Sequence, residues 1–506
     1  MEKIKLNQRI ALITIVMMIL LSAIGLCGQY RYVNSIFDSV EITTGVIYGT
    51  APFLNSFYYD ENSFTTGNLV MDLYRPYGDI MTGRPAIIFA HGGGFITGNR
   101  NHDDMMAFCD SFAKKGYVTV TIDYRQGVYV ASNADLHYTR SVYRGIQDGR
   151  AIVRYLRANA SLYGIDPDMI YFTGSSAGAF ICLHGIYMDN PAEKPGYANA
   201  VNYTDPLNAP YNFTGPDLGD FDIGENLTYS GEPNGIMSLW GAIASTALIT
   251  VDNNEPVFLV HGTADNIVPF DVGSPFGVPT LPVTYGSNRI NNKLDSLGLT
   301  DKMTYFVLGA GHEFYGVTNG MWDDSTGGNA YWDTVIWKAT DFFWSIHKPN
   351  AGFGHSTNLL EATFSDSSEG AISWLWNFGD GDTSSVQNPI HTYLSEGTYD
   401  VSLYIENSFA SWDTITKAVN VSLTGIENGY SSNYQIKNSN ETITISFSLP
   451  LKDVDISVFD ISGRIIMKKL DFSGNKLSLD MKQQNIGVYF VKINSIEKSI
   501  KIDFIK

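Results

Sequence analysis

Cysteine is scarce in this sequence. Only Cys27, Cys109 and Cys182 occur among 506 residues, which excludes a small fold held together by disulfide bridges. Cys109 and Cys182 lie in apolar helical patterns and are expected to be buried free thiols. No group of cysteines and histidines has the spacing of a zinc site, so we predict no metal centre.

Positive charge is also in short supply. The chain has 33 Lys and Arg against 52 Asp and Glu, which gives a formal net charge of −19. Nucleic-acid binding needs clustered Lys and Arg to contact phosphates, so the composition excludes a nucleic-acid partner. An acidic chain of this kind fits a soluble secreted protein.

One long apolar run occurs, at residues 10–26, and three basic residues precede it. A basic start followed by an apolar stretch and a polar break predicts a cleaved signal peptide over 1–28. Two alternatives remain open. The run is at the lower length limit for an uncleaved membrane anchor, and Cys27 could carry a lipid.

The chain is long enough for two to four domains. Residues 40–348 alternate strand-like and helix-like segments, which predicts an α/β domain with a mostly parallel sheet. The predicted strands are 68–76, 85–94, 117–125, 168–174, 256–262 and 303–309, and the predicted helices are 103–116, 138–160, 176–188 and 331–347.

Residues 189–239 interrupt this alternation. They are rich in Pro, Asn, Gly, Asp and aromatic residues, and a long irregular stretch inside a compact domain is usually functional. Its place after the 176–188 helix predicts a cap insertion over a pocket. The acidic cluster of Asp217, Asp220, Asp222 and Glu225 is expected to be a solvated loop, with a calcium site as the alternative.

The pattern changes after residue 348. Residues 349–357 are predicted to be a linker, because they are rich in Gly, Pro and polar residues. Residues 358–423 and 430–506 show short alternating strands without helical periodicity. These two stretches predict two small all-β sandwich domains.

The segment Gly174-Ser175-Ser176-Ala177-Gly178 has the form G-x-S-x-G. An apolar predicted strand precedes it and a predicted helix follows it. In that setting a sharp turn exposes the hydroxyl group of the central serine, and the helix start offers positive potential for developing negative charge. We therefore predict that Ser176 is a nucleophile.

A second glycine-rich turn begins at His91, where an apolar strand ends. Glycines at such a turn let backbone N–H groups approach a substrate oxygen, and an H-G-G-G motif is the oxyanion element of lipases and esterases. We expect the N–H groups of Gly93 and Gly94, together with that of Ala177, to bind the oxyanion.

A serine nucleophile of this kind needs an acid and then a histidine downstream. His312 directly follows the last apolar strand of the α/β region, at the sheet edge where ligand-facing loops lie. The other eight histidines lie in the glycine turn, too early in this order, or in and beyond the closing helix. Asp265 follows the strand before, whereas Asp252 and Glu255 precede that strand. We predict His312 as the base and Asp265 as the acid.

Together these motifs resemble the esterase and lipase branch of the α/β-hydrolase superfamily, over roughly residues 50–348. The matching positions are 91–95, 174–178, 261–265 and 309–312. The resemblance implies a doubly wound, mostly parallel α/β-hydrolase sheet. It also implies hydrolysis of carboxylic esters through an acyl-enzyme on Ser176, without a cofactor.

Residues 358–423 resemble a PKD domain, on the strength of 376–381 (WNFGDG), 391–393 (HTY) and 397–399 (GTY). This resemblance implies an extracellular sandwich that acts as a spacer or a polymer-binding module. Residues 430–506 resemble the C-terminal sorting domain of the type IX secretion system, through 458–466 and 486–493. That resemblance implies export across an outer membrane by the type IX machinery, followed by release or surface attachment.

We therefore expect a secreted serine carboxylesterase. Its substrates would be short-chain acyl, acetyl or feruloyl esters, either as small molecules or linked to polysaccharide. A long-chain lipase is not favoured, because 189–239 contains no strongly apolar helix. The alternatives are a serine peptidase of the same superfamily and an inactive hydrolase fold that binds polymer. The sequence carries no signal for an oligomeric state.

Overall fold

The computed structural model describes residues 31–54, 61, 64–128, 133–204, 212–317, 322–422, 434–439, 441–461, 463–485, 487–493 and 499–504. The predicted signal peptide, 1–28, lies outside these residues. The chain divides into two compact units, and the first contains the predicted α/β region. No helix in the described ranges is long and apolar enough to cross a membrane.

An eight-stranded sheet forms the centre of the first unit. Its strands in chain order are β1 (Val40–Phe53), β2 (Thr65–Pro76), β3 (Arg84–Ala90), β4 (Val118–Ile122), β5 (Ile165–Ser175), β6 (Ile236–Leu239), β7 (Val257–Gly262) and β8 (Lys302–Val307). Their spatial order is β1-β2-β4-β3-β5-β6-β7-β8. β2 pairs antiparallel with β1 and β4, and all other neighbours are parallel. The prediction of a mostly parallel α/β sheet is confirmed.

Helices cover both faces of this sheet, as a parallel sheet requires. The main helices are α1 (Asp103–Lys114), α2 (Ala134–Ala158), α3 (Ala177–Tyr187), α4 (Ser287–Leu297) and α5 (Ala330–His347). Side chains of β3 alternate between two cores. Ile88 packs in the core shared with α2, α3 and α4, whereas Ile87 and Phe89 pack in the core shared with α1 and α5.

This topology explains where a site can form. The carboxyl ends of parallel strands meet at one edge of the sheet, and loops at that edge bind ligands. β3 leads into the glycine turn, β5 into Ser176, β7 into the Asp265 loop and β8 into the His312 loop. Four motifs that are far apart in sequence therefore arrive at the same edge.

The predicted cap insertion, 189–239, is wrong at its carboxyl end. Ile236–Leu239 is β6, a fully buried strand between β5 and β7. A strand of four residues, one of which is the polar Ser238, is too short to show a period in the sequence, which explains why it was missed. The rest of the described segment holds two short 3-10 turns, Pro191–Glu193 and Gly196–Ala198, and a hairpin of Val201–Thr204 with Asn212–Gly215.

The region predicted as all-β consists of several small sheets. One sheet contains Phe353–Asn358, Glu361–Asp366 and Ile390–Thr392, and another contains Thr383–Ser384, Ser373–Asn377, Gly397–Glu406 and Trp412–Val421. The last sheet contains Tyr434–Ser439, Thr442–Asp460, Ile465–Asp480, Gly487–Ile493 and Ser499–Phe504.

The predicted linker, 349–357, is partly wrong. Phe353–Asn358 is a strand that pairs antiparallel with Glu361–Asp366. Only Phe353 of this strand is buried, so the strand is stabilised by its pairing and leaves no alternating apolar pattern in the sequence.

Candidate active site

Ser176 lies on a sharp turn between β5 and α3. Its φ of 51° and ψ of −112° are strained for a residue with a side chain, as at a nucleophile elbow. Close packing explains the flanking glycines. A β-carbon on Gly174 would lie 2.0 Å from the carbonyl oxygen of Gly178, and one on Gly178 would lie 2.3 Å from that of Ala90. Only glycine fits at either position.

Ser176, His312 and Asp265 form a continuous hydrogen-bonded chain. The Ser176 hydroxyl group lies 3.0 Å from Nε2 of His312. Nδ1 of His312 lies 2.6 Å from Oδ2 of Asp265. With Nδ1 protonated, Nε2 presents its lone pair to the serine, which is the arrangement that a general base needs.

Donors surround the Asp265 carboxylate. Its Oδ1 accepts hydrogen bonds from the backbone N–H groups of Ile267 (2.8 Å) and Val268 (3.0 Å). Its Oδ2 also lies 3.2 Å from Nε2 of His261. Burial alone would raise the pKa of Asp265, but the hydrogen bonds from His261 and His312 hold that pKa well below its usual range. The group therefore stays ionised in contact with His312.

The glycine turn lies against the serine. A β-carbon on Gly92 would lie 3.3 Å from Cβ of Ser176. Gly93 has a φ of 110°, and a β-carbon there would lie 2.0 Å from the carbonyl oxygen of Thr97, so the turn can close only with glycine. The hydroxyl group of Tyr124 donates a hydrogen bond to the carbonyl oxygen of His91 (2.9 Å) and anchors the base of the turn.

The predicted oxyanion donors lie on two elements at this point. Gly93 and Gly94 belong to the turn beside Ser176. Ala177 is the first residue of α3, where the first N–H groups of a helix have no partner inside the helix. The helix dipole adds positive potential at the same place.

Two further residues lie beside Ser176 and the glycine turn, and the sequence motifs do not identify them. Nε1 of Trp240 donates a hydrogen bond to Oγ of Ser175 (3.1 Å), and the Trp240 ring packs edge-on to the His312 ring at 5.9 Å. Phe276 lies over Gly94, whose β-carbon would come within 3.3 Å of the Phe276 ring. Neither residue belongs to a motif, and both reach the centre only through the fold.

The acidic cluster in 189–239 pairs with basic side chains. Asp217 forms an ion pair with Lys194, and Asp222 pairs with Arg150 and Arg154. These pairs use carboxylates that a calcium site would require. In the described part of the chain, metal-ligand spacing occurs once, in the second unit at Asp380, Asp382 and His391. There, Nε2 of His391 already lies 2.7 Å from the Asp380 carboxylate.

Family models match three parts of the chain. A BD-FAE model matches residues 71–214, a PKD domain model matches 347–422, and a secretion system C-terminal sorting domain model matches 439–506. The first range contains the glycine turn and Ser176.

Individual proteins are similar over shorter shares of their length. Mouse carboxylesterase 3B is 32% identical over 116 residues, which are 22% of this chain and 19% of that protein. The probable carboxylic ester hydrolase LipM of Mycobacterium tuberculosis is 26% identical over 232 residues, 42% of this chain and 50% of that protein. The chain thus spans half or less of the length of these curated relatives.

Among solved structures, the apo form of Thermogutta terrifontis esterase 2 is 20% identical and covers 62% of this chain and 96% of its own, with a TM-score of 0.39.

The three family matches agree with the domain order that the motifs indicate. The chain therefore carries a BD-FAE domain of the hydrolase fold, a PKD domain and a secretion system C-terminal sorting domain, in that order.

Proposed function

We propose that this protein is an exported carboxylic ester hydrolase that works through an acyl-enzyme on Ser176. One observation carries the proposal. Ser176, His312 and Asp265 are joined by hydrogen bonds of 3.0 and 2.6 Å beside a glycine turn. Similarity to proteins named as carboxylic ester hydrolases supports the same reaction class.

The first half of the reaction would transfer the acyl group to the serine. Oγ of Ser176 attacks the ester carbonyl carbon, and Nε2 of His312 takes the hydroxyl proton. The carbonyl oxygen becomes an oxyanion that the N–H groups of Gly93, Gly94 and Ala177 stabilise. The tetrahedral intermediate collapses, the C–O bond to the alcohol breaks, and His312 returns the proton to the leaving alcohol oxygen.

The second half would release the acid. A water molecule takes the place of the alcohol, and Nε2 of His312 removes its proton as the water oxygen attacks the acyl carbon. The same N–H groups hold the second oxyanion. When this intermediate collapses, the bond to Oγ of Ser176 breaks and His312 protonates the serine. Proton transfer and attack involve only protein groups and water, so this scheme uses no cofactor.

The expected substrates are short-chain acyl, acetyl or feruloyl esters, free or attached to polysaccharide. Phe276 over the glycine turn offers an aromatic surface beside Gly94, and aromatic side chains bury a large apolar area on contact. The C-terminal sorting domain and the predicted signal segment support export by the type IX machinery. An exported hydrolase would therefore meet polymeric substrates outside the cell.

The test is a series of p-nitrophenyl esters from acetate to palmitate, with methyl ferulate beside it. The purified chain without residues 1–28 is compared with Ser176→Ala and with Ser296→Ala, an exposed serine on α4. We expect Ser176→Ala to lose about six orders of magnitude in kcat and Ser296→Ala to match the parent. Equal inactivity of the parent and of Ser176→Ala on every ester would overturn the proposal.

A further inference from the structure

His261 is a fully buried histidine near the carboxyl end of β7, four residues before Asp265. Its Nε2 lies 3.1 Å from the carbonyl oxygen of Val268 and 3.2 Å from Oδ2 of Asp265. Both of these neighbours are acceptors, so Nε2 carries the ring proton. His261 is therefore a second imidazole donor to the carboxylate oxygen that also faces His312.

The other side of the His261 ring is anchored at the start of α4. Nδ1 of His261 lies 2.8 Å from Oγ of Ser287, which is the first residue of that helix and is also fully buried. In the neutral ring, the Ser287 hydroxyl group donates to Nδ1. The Phe270 ring packs edge-on to the imidazole at 5.5 Å. The ring thus has one orientation, and its Nε2–H group points at the Asp265 loop.

The backbone fixes the course of the Asp265 loop but only one of the two carboxylate oxygens. The N–H group of Ala264 donates to the carbonyl oxygen of Ala310 (2.9 Å), which ties this loop to the loop of His312. Oδ1 of Asp265 accepts from two backbone N–H groups. Among the described residues, the donors to Oδ2 are the side chains of His261 and His312. The position of Oδ2 therefore depends on His261 and on His312 itself.

This difference matters because His312 changes its protonation during the reaction. Its Nε2 takes up and returns a proton in each half of the ester hydrolysis, and its side chain is partly exposed. A carboxylate oxygen held only by that ring would follow the movements of the ring. The His261 ring is enclosed and hydrogen-bonded at both nitrogens. It can hold Oδ2 at one place through every proton transfer, as a supporting group does for a catalytic side chain.

We propose that His261 is a positioning residue for the reaction, which holds Oδ2 of Asp265 in the place from which it orients His312. Ser287 fixes the tautomer of His261 in turn. The hydrogen-bonded chain then runs through Ser287, His261, Asp265, His312 and Ser176. His261 transfers no proton and touches no substrate. The inference rests on the proposed ester hydrolysis and adds a residue to the machinery that performs it.

A double-mutant cycle tests this inference. The kcat on p-nitrophenyl acetate is measured for the purified chain, His261→Phe, Asp265→Asn and the double variant. We expect His261→Phe to lose about 10- to 100-fold, the range for a hydrogen bond to a charged group. The double variant should lose no more than Asp265→Asn alone, within about threefold, because residues that act as a unit are not additive. His347→Gln changes a buried histidine that bonds Tyr117 and Ser411, and it should match the parent.

Two further measurements keep the test decisive if His261→Phe does not fold. His261→Gln can place an amide N–H group where Nε2 lies, so it should lose less than about tenfold in kcat. In the parent, ¹⁵N spectra of labelled histidine report which nitrogen of each ring is protonated. His261→Gln and His312→Gln identify the two signals. We expect a proton on Nε2 of His261 and on Nδ1 of His312.

The other outcomes separate this inference from the proposed function. If the losses in His261→Phe and Asp265→Asn multiply in the double variant, His261 does not act through Asp265 and the inference fails. The inference also fails if His261→Phe keeps the full kcat, or if Nε2 of His261 carries no proton in the parent. The proposed function itself fails only if the parent and Ser176→Ala are equally inactive on every ester.

Discussion

Replacement of Asp265 by asparagine tests whether the Asp265 carboxylate orients the His312 ring. Its Oδ1 accepts two backbone N–H groups, and its Oδ2 faces nitrogens of His312 and His261. An asparagine has the same shape but replaces one acceptor oxygen with an NH2 group. Whichever way the amide turns, that NH2 group meets another donor. The ring of His312 then loses the acceptor that fixes its tautomer.

We predict that Asp265→Asn lowers kcat on p-nitrophenyl acetate about 10³- to 10⁴-fold, because the wrong tautomer of His312 cannot take the serine proton. Asp271→Asn is the control, since Asp271 lies in the same loop but pairs with the exposed Arg289. A loss of less than tenfold in Asp265→Asn would show that Asp265 does not orient the base.

Single residues of the candidate site differ in how far the sequence predicts them. Ser176, Asp265 and His312 can be found because each directly follows a predicted strand and the three occur in a known order. The sequence gives no such sign for Trp240 and Phe276. Trp240 reaches Ser175 from the end of β6, a strand that shows no period. Phe276 lies over Gly94 only because the fold brings its loop to the glycine turn.

At the scale of elements, α2 holds the irregular segment after α3 in place. Polar side chains along α2 donate hydrogen bonds to backbone carbonyl oxygens of that segment. The donor and acceptor pairs are Arg140 with Tyr197 and Asn199, Gln147 with Leu218 and Asp220, Arg154 with Ile223, and Arg157 with Ser230, at 2.6 to 2.8 Å. One helix thus donates to six backbone carbonyl groups of a segment that has little regular structure.

We predict that Arg154→Ala destabilises the first unit by about 2–3 kcal/mol. Arg154 is fully buried, and its loss leaves the Ile223 carbonyl group and part of the Asp222 carboxylate without a donor. Arg150 still pairs with Asp222, which limits the cost. The measurement is the urea midpoint of unfolding.

Arg157→Ala provides the comparison for this prediction. Arg157 also donates to a carbonyl group of the segment, but its hydrogen bonds to Ser230 and Pro167 are exposed, and only the one to Asn234 is partly buried. Its truncation should therefore cost about 1 kcal/mol, less than that of Arg154. Equal midpoints for the two variants would show that the segment is not held by the buried guanidinium group.

The same contacts explain which elements the sequence could predict. Long helices and apolar strands show their periods, so β3, β5, α1 and α5 can be predicted nearly in full. The course of 189–235 cannot, because the acceptors are backbone carbonyl groups, which every residue has. β1 was missed as well, since most of its 14 residues are exposed and it is stabilised by pairing with β2.

At the scale of the whole molecule, the order of modules could be predicted because short motifs mark each one. Residues 376–381 and 391–393 indicate the PKD domain without any knowledge of its sheets. No motif marks the boundaries between the modules. The strand Phe353–Asn358 therefore overlaps the segment that the sequence predicts to be a linker.

Buried histidines in the first unit link its stability to pH. His91, His184 and His347 have pKa values lowered by burial, to about 4, about 4 and about 3, from an ordinary value of 6.5. The hydrogen bonds of His184 show why. Nδ1 donates to the carbonyl oxygen of Phe180 (2.7 Å), and Nε2 accepts from the N–H group of Ala244 (3.1 Å). A second ring proton would face that N–H group.

The sign of the pH effect follows from these shifts. Below pH 6.5 the unfolded chain takes up protons on these histidines and the folded chain does not, so falling pH favours unfolding. His102 acts in the opposite direction. Its pKa is raised to about 9 by the hydrogen bond to Asp104, so the stability it contributes is full below pH 6.5 and is lost as the pH rises through 9. These histidines together place the greatest stability near pH 6.5, because stability falls below that pH through the three buried histidines and above it through His102.

We predict that the free energy of unfolding of the first unit falls between pH 6.5 and pH 4, by up to about 1.4 kcal/mol per pH unit for each of the three histidines. The free energy of unfolding is measured by urea titration at each pH. Hydrogen exchange of peptides from β5 and α3 reports the unfolding of the first unit. His184→Gln removes one titrating group while keeping a donor and an acceptor, so its pH slope should be shallower than that of the parent. A free energy of unfolding that is unchanged from about pH 7 to about pH 4 would contradict the burial of neutral imidazoles, because protonation in the unfolded chain alone requires a slope.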